Sequence, residues 1–314
     1  MSIAGLFPGQ GSQSQGMLSE LAASHPQIQQ TFAQASDCLQ YDLWRLVQEG
    51  SEDELNRTEN TQPIMLTADV AVWRVWQAQG GCQPPALAGH SLGEYVALSV
   101  AGVLDFTDAL KLVSQRAYLM QHAVPDGQGA MAALLGLDDE AVIAACKTAA
   151  QGDVVEAVNF NAPGQVVIAG ERAAVTRAIE EAKAQGARKA VLLPVSVPSH
   201  CALMQPAADK LAETLQATSI HASDIAVLHN VDARARETAD SMRQALAQQL
   251  YQPVRWVETV QHLKQQYATT HLIEFGPGKV LTSMNRRIER TLGAVCVMDN
   301  ANLEAALKLC EENP

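Results

Sequence analysis

The sequence has few of the features that would point to a nucleic-acid or membrane protein. Its 314 residues contain 22 Lys and Arg against 34 Asp and Glu, which gives a formal net charge of -12. Because phosphate binding needs a basic surface, this balance argues against nucleic acid as the main partner. No apolar run reaches membrane-spanning length, and the N-terminus lacks the basic segment of a secretory signal. We therefore expect a cytoplasmic protein with no membrane partner.

Closely spaced cysteines are also absent. The six cysteines contain no C-x-x-C pair and lie at Cys38, Cys82, Cys146, Cys201, Cys296 and Cys310. This distribution predicts reduced thiols, with neither a zinc site nor a disulfide framework. The 47% of hydrophobic and 18% of charged residues are typical of a soluble globular enzyme. The length allows one large domain that carries a smaller one.

The segment around Ser91 has the pattern of a nucleophile elbow. Gly89-x-Ser91-x-Gly93 follows an apolar run at 86–88 and precedes an apolar, helix-compatible segment at 94–103. In this pattern a buried strand ends, the chain turns sharply, and a helix begins with a serine at the apex. Serine is a weak nucleophile on its own, so the chain must also supply a base.

The order of predicted elements divides the chain into two parts. Residues 1–126 and 197–314 predict a hydrolase-like α/β core with a parallel sheet. Residues 127–196 follow the order βαββαβ, with a turn-rich sequence at 161–164 and a last strand over 190–197. We therefore predict a ferredoxin-like subdomain, residues 127–196, inserted into the core.

His200 is the histidine that best fits the role of the base. It lies where the inserted subdomain returns to the core, and clefts between domains often hold sites. It also follows Ser91 in the chain, as in hydrolase-like folds. His90 adjoins Ser91, so on a tight turn its ring should point elsewhere. Asp232 and Glu274 are possible third members of a triad, but neither is indicated by spacing, and a backbone carbonyl could orient the histidine instead.

Two further features are candidates for binding an acyl group. The glycine-rich loop at 8–13 lacks the spacing of either phosphate-binding motif, and its amides could instead stabilise an oxyanion. Arg116 lies on the apolar face of a helix predicted over about 107–122. A buried guanidinium needs an anionic partner. From spacing alone, an internal Asp or Glu is favoured over the carboxylate of a ligand.

Seven short motifs occur together in a specific order, although each of them alone is weak. They are Phe7-Pro8-Gly9-Gln10-Gly11-Ser12-Gln13, Gln62-Pro63, Gly89-His90-Ser91-Leu92-Gly93-Glu94-Tyr95, Gln115-Arg116, Val158-Asn159-Phe160-Asn161, Val197-Pro198-Ser199-His200 and Gly276-Pro277-Gly278. In this order, and over essentially the whole chain, the sequence resembles the malonyl-CoA:acyl carrier protein transacylase family of bacterial fatty acid synthesis.

The resemblance implies a role for several of these residues. Ser91 would be the nucleophile that takes the malonyl group, and His200 would be its base and later its acid. The backbone amides of Gln10 and Leu92 would form the oxyanion hole. The family fold is the hydrolase-like α/β body with a ferredoxin-like insertion that the element order also predicts.

The resemblance also implies how the substrate and the partner are recognised. Arg116 would pair with the free carboxylate of malonate, and the backbone carbonyl of Gln249 would orient the catalytic histidine. No metal or resident cofactor is expected, since phosphopantetheine is carried by the partner. The acyl carrier protein is acidic in this family, so docking requires a local basic patch. Its candidates, which could equally be ordinary solvated residues, are Arg188, Lys189, Lys279, Arg286, Arg287 and Arg290.

We therefore expect malonyl transfer from malonyl-CoA to the phosphopantetheine thiol of acyl carrier protein through a malonyl-serine intermediate. Three alternatives remain open at this stage. The malonyl transferase subunit of a malonate decarboxylase would share these motifs. A serine esterase or thioesterase would use the same elbow without needing Arg116. A non-catalytic interaction protein would leave Ser91 unmodified.

Overall fold

The structure is a computed structural model that describes residues 2–195 and 197–311. Its strands are β1 Ser2–Phe7, β2 Ala86–Gly89, β3 Gly129–Leu135, β4 Val155–Ala162, β5 Gln165–Glu171, β6 Lys189–Leu192, β7 Ala226–Leu228, β8 Thr269–Phe275 and β9 Gly293–Val297. Its α-helices are α1 Ser19–Ser24, α2 Pro26–Leu39, α3 Leu43–Glu49, α4 Glu52–Asn56, α5 Thr58–Ala78, α6 Gly93–Val100, α7 Phe106–Gln121, α8 Asp139–Ala150, α9 Arg172–Ala184, α10 Gln205–Ala217, α11 Ala239–Gln248, α12 Trp256–Gln266, α13 Val280–Ile288 and α14 Asn300–Glu311.

A parallel five-stranded sheet with the order β7-β2-β1-β8-β9 forms the centre of the larger part. Its central strand β1 is almost continuously apolar and buried, as expected for a sheet that is covered on both faces. The carboxyl ends of β1 and β2 lie side by side, with Phe7 opposite Gly89. Gln10 and Ser91 follow these two ends, where ligands bind in open α/β sheets.

The second sheet is antiparallel and has the order β4-β5-β3-β6. Together with α8 and α9 it forms the βαββαβ arrangement that the sequence predicts, and the α/β fold class is confirmed. The two helices and the sheet share a core around Leu134, Val142, Ile168 and Val175. The boundaries of this subdomain at 127 and 196 stay a prediction. Ser196 at the second boundary lies outside the described residues, as do Met1 and residues 312–314.

Backbone hydrogen bonds connect β4 of the second sheet to the segment before α12 in the larger part. The Phe160 amide donates to the Val254 carbonyl at 3.0 Å, and the Val254 amide donates to the Val158 carbonyl at 2.8 Å. Met131 and Cys201 belong to a small apolar cluster on this side of the second sheet. These contacts attach the second sheet to the larger part of the protein.

None of the helices within residues 2–195 and 197–311 combines the length and the apolar character that a membrane crossing requires. The longest of these helices, α5, begins at Thr58, so Pro63 lies inside the helix and not in its first turn. An interior proline removes one helical hydrogen bond. Complete burial of Ile64, Met65 and their neighbours offsets this loss.

One predicted strand ends earlier than the sequence suggested. The strand predicted over 190–197 ends at Leu192, because Pro194 has no amide hydrogen for strand pairing. Helix α13, which carries Arg286 and Arg287, ends at Ile288, so Arg290 of the candidate basic patch lies beyond it.

The prediction that all six cysteines are reduced is wrong for two of them. Cys82 and Cys310 form a disulfide, with Cα atoms 5.7 Å apart. They are separated by 228 residues in the sequence, and the fold places the loop after α5 beside α14. Local cysteine spacing carries no signal of such a pair. The four free cysteines are Cys38, Cys146, Cys201 and Cys296.

Candidate active site

The turn between β2 and α6 forces strand and helix unusually close together. Ser91 has a φ of 52°, in the left-handed region that residues other than glycine seldom adopt. A Cβ atom on Gly89 would lie 1.8 Å from the carbonyl carbon of Gly93, and one on Gly93 would lie 2.1 Å from the Phe7 carbonyl oxygen. Only glycine fits at these two positions, so the G-x-S-x-G pattern is a steric requirement of the elbow.

The structure brings Ser91 and His200 together, although 109 residues separate them in the sequence. The Oγ atom of Ser91 lies 2.8 Å from Nε2 of His200, and Nδ1 of His200 lies 2.7 Å from the Gln249 carbonyl oxygen. A carbonyl only accepts hydrogen bonds, so Nδ1 carries the ring proton. The Nε2 atom is then free to accept the Ser91 hydroxyl proton.

Neither acid that the sequence offered as a third triad member contacts the histidine. Asp232 pairs with Arg236. Glu274 accepts the backbone amides of Leu281 and Thr282 at the start of α13, at 3.0 and 2.7 Å. These carboxylates therefore have local structural partners, and the Gln249 carbonyl takes the position of the third group.

Burial strongly favours the neutral form of His200, which is 2% exposed. Burial lowers the pKa of His200 to about 3, and the positive charge of Arg116 contributes in the same direction. The hydrogen bond to the Gln249 carbonyl opposes this shift without cancelling it. At neutral pH the ring is therefore an unprotonated acceptor for the serine hydroxyl.

Arg116 is buried beside the serine and bonds to neutral acceptors. Its Nη1 atom donates to Gln62 Oε1 at 2.6 Å. Its Nη2 atom donates to Gln249 Oε1 at 2.9 Å and to Ser91 Oγ at 3.2 Å. No Asp or Glu within the described ranges forms an ion pair with it, so the interpretation favoured from spacing, an internal carboxylate, is wrong. Burial lowers the pKa of Arg116, and an anionic ligand would relieve that unfavourable burial.

The amides of Gln10 and Leu92 lie on the two loops that meet at the elbow. A Cβ atom on Gly9 would lie 2.6 Å from the His90 carbonyl oxygen and 3.8 Å from the Leu92 nitrogen. Among the residues that the structure describes, no acceptor is bonded to the Gln10 amide or to the Leu92 amide. Two unpaired amides close to a nucleophile are the arrangement that stabilises an oxyanion.

Sequence reasoning missed three buried polar residues beneath the elbow: Glu94, His229 and Asn230, each of which is 0% exposed. The Asn230 side chain donates to the Gly89 carbonyl at 2.7 Å and accepts the Ser91 amide at 2.6 Å. It thus bridges both ends of the turn and stabilises the strained serine conformation. The available signal was a glutamate at position 94 in an otherwise apolar helical segment.

His90, the rejected base candidate, is directed away from the serine. Its Nε2 atom lies 2.8 Å from Oδ1 of Asn161, and its ring packs 5.5 Å from that of Trp256. Burial lowers the pKa of His90, and the hydrogen bond to Asn161 opposes that shift. The side chain therefore links the elbow to β4 and not to the nucleophile.

Two adjoining cavities open next to the serine. The smaller one, about 130 Å³, is lined by Ser91 and His200, and the larger one has a volume of about 330 Å³. The lining residues common to both are Gln10, His90, Asn159, Leu193 and Val195. Within the described part of the chain, no group of three or more His, Cys, Asp and Glu side chains could hold a metal ion.

Two of the predicted basic residues lie near the turn between β4 and β5. Arg287 donates to the Pro163 carbonyl at 3.1 Å and to the Gln165 side chain. Arg188 packs beside Gly136, whose amide donates to the Gly164 carbonyl. Arg286 donates to the Ala294 carbonyl at 3.3 Å. Part of the candidate patch therefore has structural contacts between elements, and its use for docking stays a prediction.

Comparison with known proteins shows both the class and the family of this chain. Residues 6–303 match the family described as the acyl transferase domain, so the protein is an acyl transferase. A malonyl CoA-acyl carrier protein transacylase of Escherichia coli strain K12 is 55% identical over 304 residues, which cover 97% of this chain and 98% of that protein. The Haemophilus influenzae protein of the same name is 56% identical over 301 residues, 96% of each chain.

Solved structures agree with this assignment. A malonyl-transacylase in complex with a type II PKS acyl-carrier protein superposes with a TM-score of 0.97 at 55% identity, covering 98% of this chain and all of that one. An acyl carrier protein S-malonyltransferase from Vibrio cholerae gives a TM-score of 0.94 at 56% identity, with 97% and 99% coverage. The chain belongs to the malonyl CoA-acyl carrier protein transacylase family, which confirms the resemblance found in the sequence.

Proposed function

We propose that this protein transfers the malonyl group of malonyl-CoA to the phosphopantetheine thiol of an acyl carrier protein through a malonyl ester on Ser91. The observation that carries this proposal is the 2.8 Å contact of Ser91 with a neutral His200, beside a buried Arg116 whose direct partners are neutral. The names of the Escherichia coli and Haemophilus influenzae relatives support the same activity.

In the first half-reaction, Ser91 Oγ attacks the thioester carbonyl while Nε2 of His200 takes the hydroxyl proton. The oxyanion accepts hydrogen bonds from the Gln10 and Leu92 amides, which have no other acceptor among the described residues. The carbon–sulfur bond then breaks, and the imidazolium returns its proton to the departing CoA thiolate. The Gln249 carbonyl stabilises the imidazolium through Nδ1.

The second half-reaction runs the same steps in reverse with a different thiol. The phosphopantetheine thiol gives its proton to Nε2 of His200 and attacks the malonyl ester. The ester bond to Ser91 breaks, and the protonated ring restores the serine hydroxyl. This is ping-pong acyl transfer, and the proposed chemistry requires no resident cofactor. The 130 Å³ cavity suits the malonyl group, and the adjoining 330 Å³ cavity suits the pantetheine arm.

Selectivity for malonyl is assigned to Arg116. Among the described residues, the hydrogen-bond acceptors of its guanidinium are side-chain oxygens of two glutamines and a serine. A malonyl carboxylate would give the buried cation an ionic partner, whereas an acetyl group would leave it without one. Hydrogen bonds to charged groups are each worth about 1.5–3 kcal/mol, so two of them discriminate by roughly 10² to 10⁴.

The same proposal includes the domain boundaries, the location in the cell and the docking site of the carrier protein. We assign residues 1–126 and 197–314 to the catalytic domain and 127–196 to the inserted subdomain, and we place the protein in the cytoplasm. The carrier protein would dock near the β4–β5 turn, next to the mouth of the larger cavity. Arg188 and Arg287 at this turn are the members of the basic patch that the local geometry supports best.

The test is intact-protein mass spectrometry after exposure to equal concentrations of malonyl-CoA and acetyl-CoA. We expect stoichiometric malonylation that is absent from Ser91→Ala and that is replaced by acetylation in Arg116→Ala. Absence of malonyl labelling in the unchanged protein would refute the proposal. An unchanged acyl preference in Arg116→Ala would refute the role of the arginine.

What happens to the malonyl group bound to Ser91 distinguishes the proposed function from two alternatives. An esterase or thioesterase would lose the malonyl group to water without an added carrier. A malonate decarboxylase subunit would form the same malonyl-serine but would pass the malonyl group to a different carrier. Transfer of the label to holo acyl carrier protein, and not to its apo form, distinguishes the proposed function from both.

A further inference from the structure

One buried carboxylate connects the polar side chains beneath the elbow. Glu94, the second residue of α6, is 0% exposed. Its Oε1 atom accepts from His229 Nδ1 at 2.7 Å. Its Oε2 atom accepts from the Asn230 amide at 2.9 Å and from Gln249 Nε2 at 2.8 Å. A buried carboxylate is tolerated when hydrogen bonds replace its water, and these three donors do so.

The hydrogen bond between Glu94 and Gln249 fixes the orientation of the Gln249 side-chain amide. Nε2 of Gln249 has two hydrogens, and it donates one to Glu94 Oε2 at 2.8 Å and the other to the Ser91 carbonyl at 2.9 Å. A reversed amide would place its oxygen against two acceptors and lose both bonds. The Oε1 atom is therefore directed at Arg116, which donates to it at 2.9 Å.

We propose that Glu94 is a positioning residue for malonyl selectivity, because it holds the Gln249 amide with its oxygen toward Arg116 and so fixes the guanidinium beside Ser91. This inference rests on the proposed function, in which Arg116 binds the malonyl carboxylate. Among the described residues, Arg116 has one other amide anchor, Gln62, and its Nε atom has no hydrogen-bond partner, although the guanidinium also packs 5.4 Å from the Tyr95 ring centroid. Loss of the Gln249 acceptor would therefore let the guanidinium move away from the serine.

Glu94 also supports the elbow through a second connection. It accepts the amide of Asn230, whose side chain bridges the Gly89 carbonyl and the Ser91 amide. That connection serves the nucleophile itself, so its loss would slow malonyl and acetyl transfer equally. The overall rate therefore does not test the inference, but the ratio of kcat/KM for malonyl-CoA to kcat/KM for acetyl-CoA does.

Glu94→Gln and Glu94→Asp separate geometry from charge. The glutamine keeps the length of the side chain, and its oxygen can accept from Asn230 and Gln249. Its amide can donate to His229 Nδ1, because His229 Nε2 has no partner within the described residues and the ring can move its proton there. The aspartate keeps the charge but ends one methylene too early to reach Gln249.

We expect Glu94→Gln to keep the malonyl-to-acetyl ratio within about threefold and Glu94→Asp to lower it by about tenfold or more, the worth of one hydrogen bond to a charged group. Slowing through the Asn230 connection should be shared by both substrates, and the further decrease in kcat/KM that lowers the ratio should be confined to malonyl-CoA. With Arg116→Ala already present, Glu94→Asp should cause no further change in the ratio. Glu274→Asp is the matched control, because this buried carboxylate accepts two backbone amides and contacts none of these residues.

Two results would overturn the inference. In the first, folded Glu94→Asp slows both substrates in parallel and leaves the ratio unchanged, as a purely structural residue would. In the second, Glu94→Gln loses selectivity as much as Glu94→Asp does, so that charge and not geometry matters. A different result, in which the unchanged protein takes no malonyl group or prefers acetyl, would refute the proposed function itself and is seen before any Glu94 variant is measured.

Discussion

Acidification should leave the serine acylation rate nearly unchanged down to about pH 5, because His200 stays neutral over this range. A histidine with an ordinary pKa of about 6.5 would be neutral in only about 3% of molecules at pH 5, and its reaction would slow about 30-fold. With the pKa of His200 lowered to about 3, almost all molecules retain the neutral base at that pH. The two cases therefore differ by more than an order of magnitude in a directly measurable rate.

The assay is single-turnover malonylation of Ser91, quenched and followed by intact mass between pH 5 and 8. A rate that falls with a midpoint near 6.5 would refute the reasoning, and ring ¹⁵N chemical shifts of His200 give an independent midpoint. Arg116 contributes to the lowered pKa, so in Arg116→Ala with acetyl-CoA the midpoint should move upward. Below about pH 6.5 the unfolded chain binds a proton on His200 that the folded chain does not bind, so the stability of the fold decreases as pH falls below about 6.5. Circular dichroism at each pH therefore checks that the protein is still folded.

Three further predictions concern the fold. Gly89→Ala should lower the free energy of unfolding by more than about 3 kcal/mol or abolish folding, because its Cβ would clash with backbone. Gly127→Ala, where no atom lies near the added Cβ, should lower it by about 1 kcal/mol. Urea unfolding compares the two variants, and equal losses would contradict the steric argument. Thiol titration of the denatured chain should find four thiols without reductant and six with it, and six in both cases would disprove the disulfide. Burial, with the nearby Glu274 charge, raises the pKa of Asp69 well above its usual value, so the folded state keeps a proton that the unfolded chain loses above about pH 4. The Asp69 contribution to stability should therefore decrease as pH rises above about 4, opposite in sign to the contribution of His200. Asp69→Asn but not the surface substitution Asp138→Asn should remove this contribution in urea unfolding at a series of pH values; an identical pH dependence in all three proteins would refute it.

Features set by local sterics could be predicted from the sequence. The elbow requires glycine at 89 and 93 because backbone approaches backbone there, and a pattern of small residues records that need directly. The βαββαβ order of the second sheet was likewise predictable, because each element has its own apolar periodicity and turn residues. Element ends were less accurate, as at Leu192, where a proline two positions later stops the strand.

Features set by long-range contacts could not be predicted in the same way. The two amides that hold Arg116 come from positions 54 and 133 residues away, and glutamines at such distances carry no pattern. Spacing therefore pointed to a carboxylate partner, which is the commonest solution for a buried cation but not the one found here. The disulfide and the buried polar residues beneath the elbow could not be predicted from the sequence for the same reason. The resemblance to a family supplied the residue roles that physical reasoning from one sequence left open.

The arrangement of charge explains why Arg116 can stay buried and charged in the free protein without a carboxylate bonded to it. Glu94 and Arg116 are both buried, and the Gln249 amide lies between them with its NH₂ group on the anion and its oxygen on the cation. The amide dipole thus links the two charges without letting them pair directly. A direct ion pair would bind Arg116 tightly and would have to break before a substrate carboxylate could enter. The intervening glutamine keeps the cation charged, oriented and available, which is the condition that selectivity for an anionic acyl group requires.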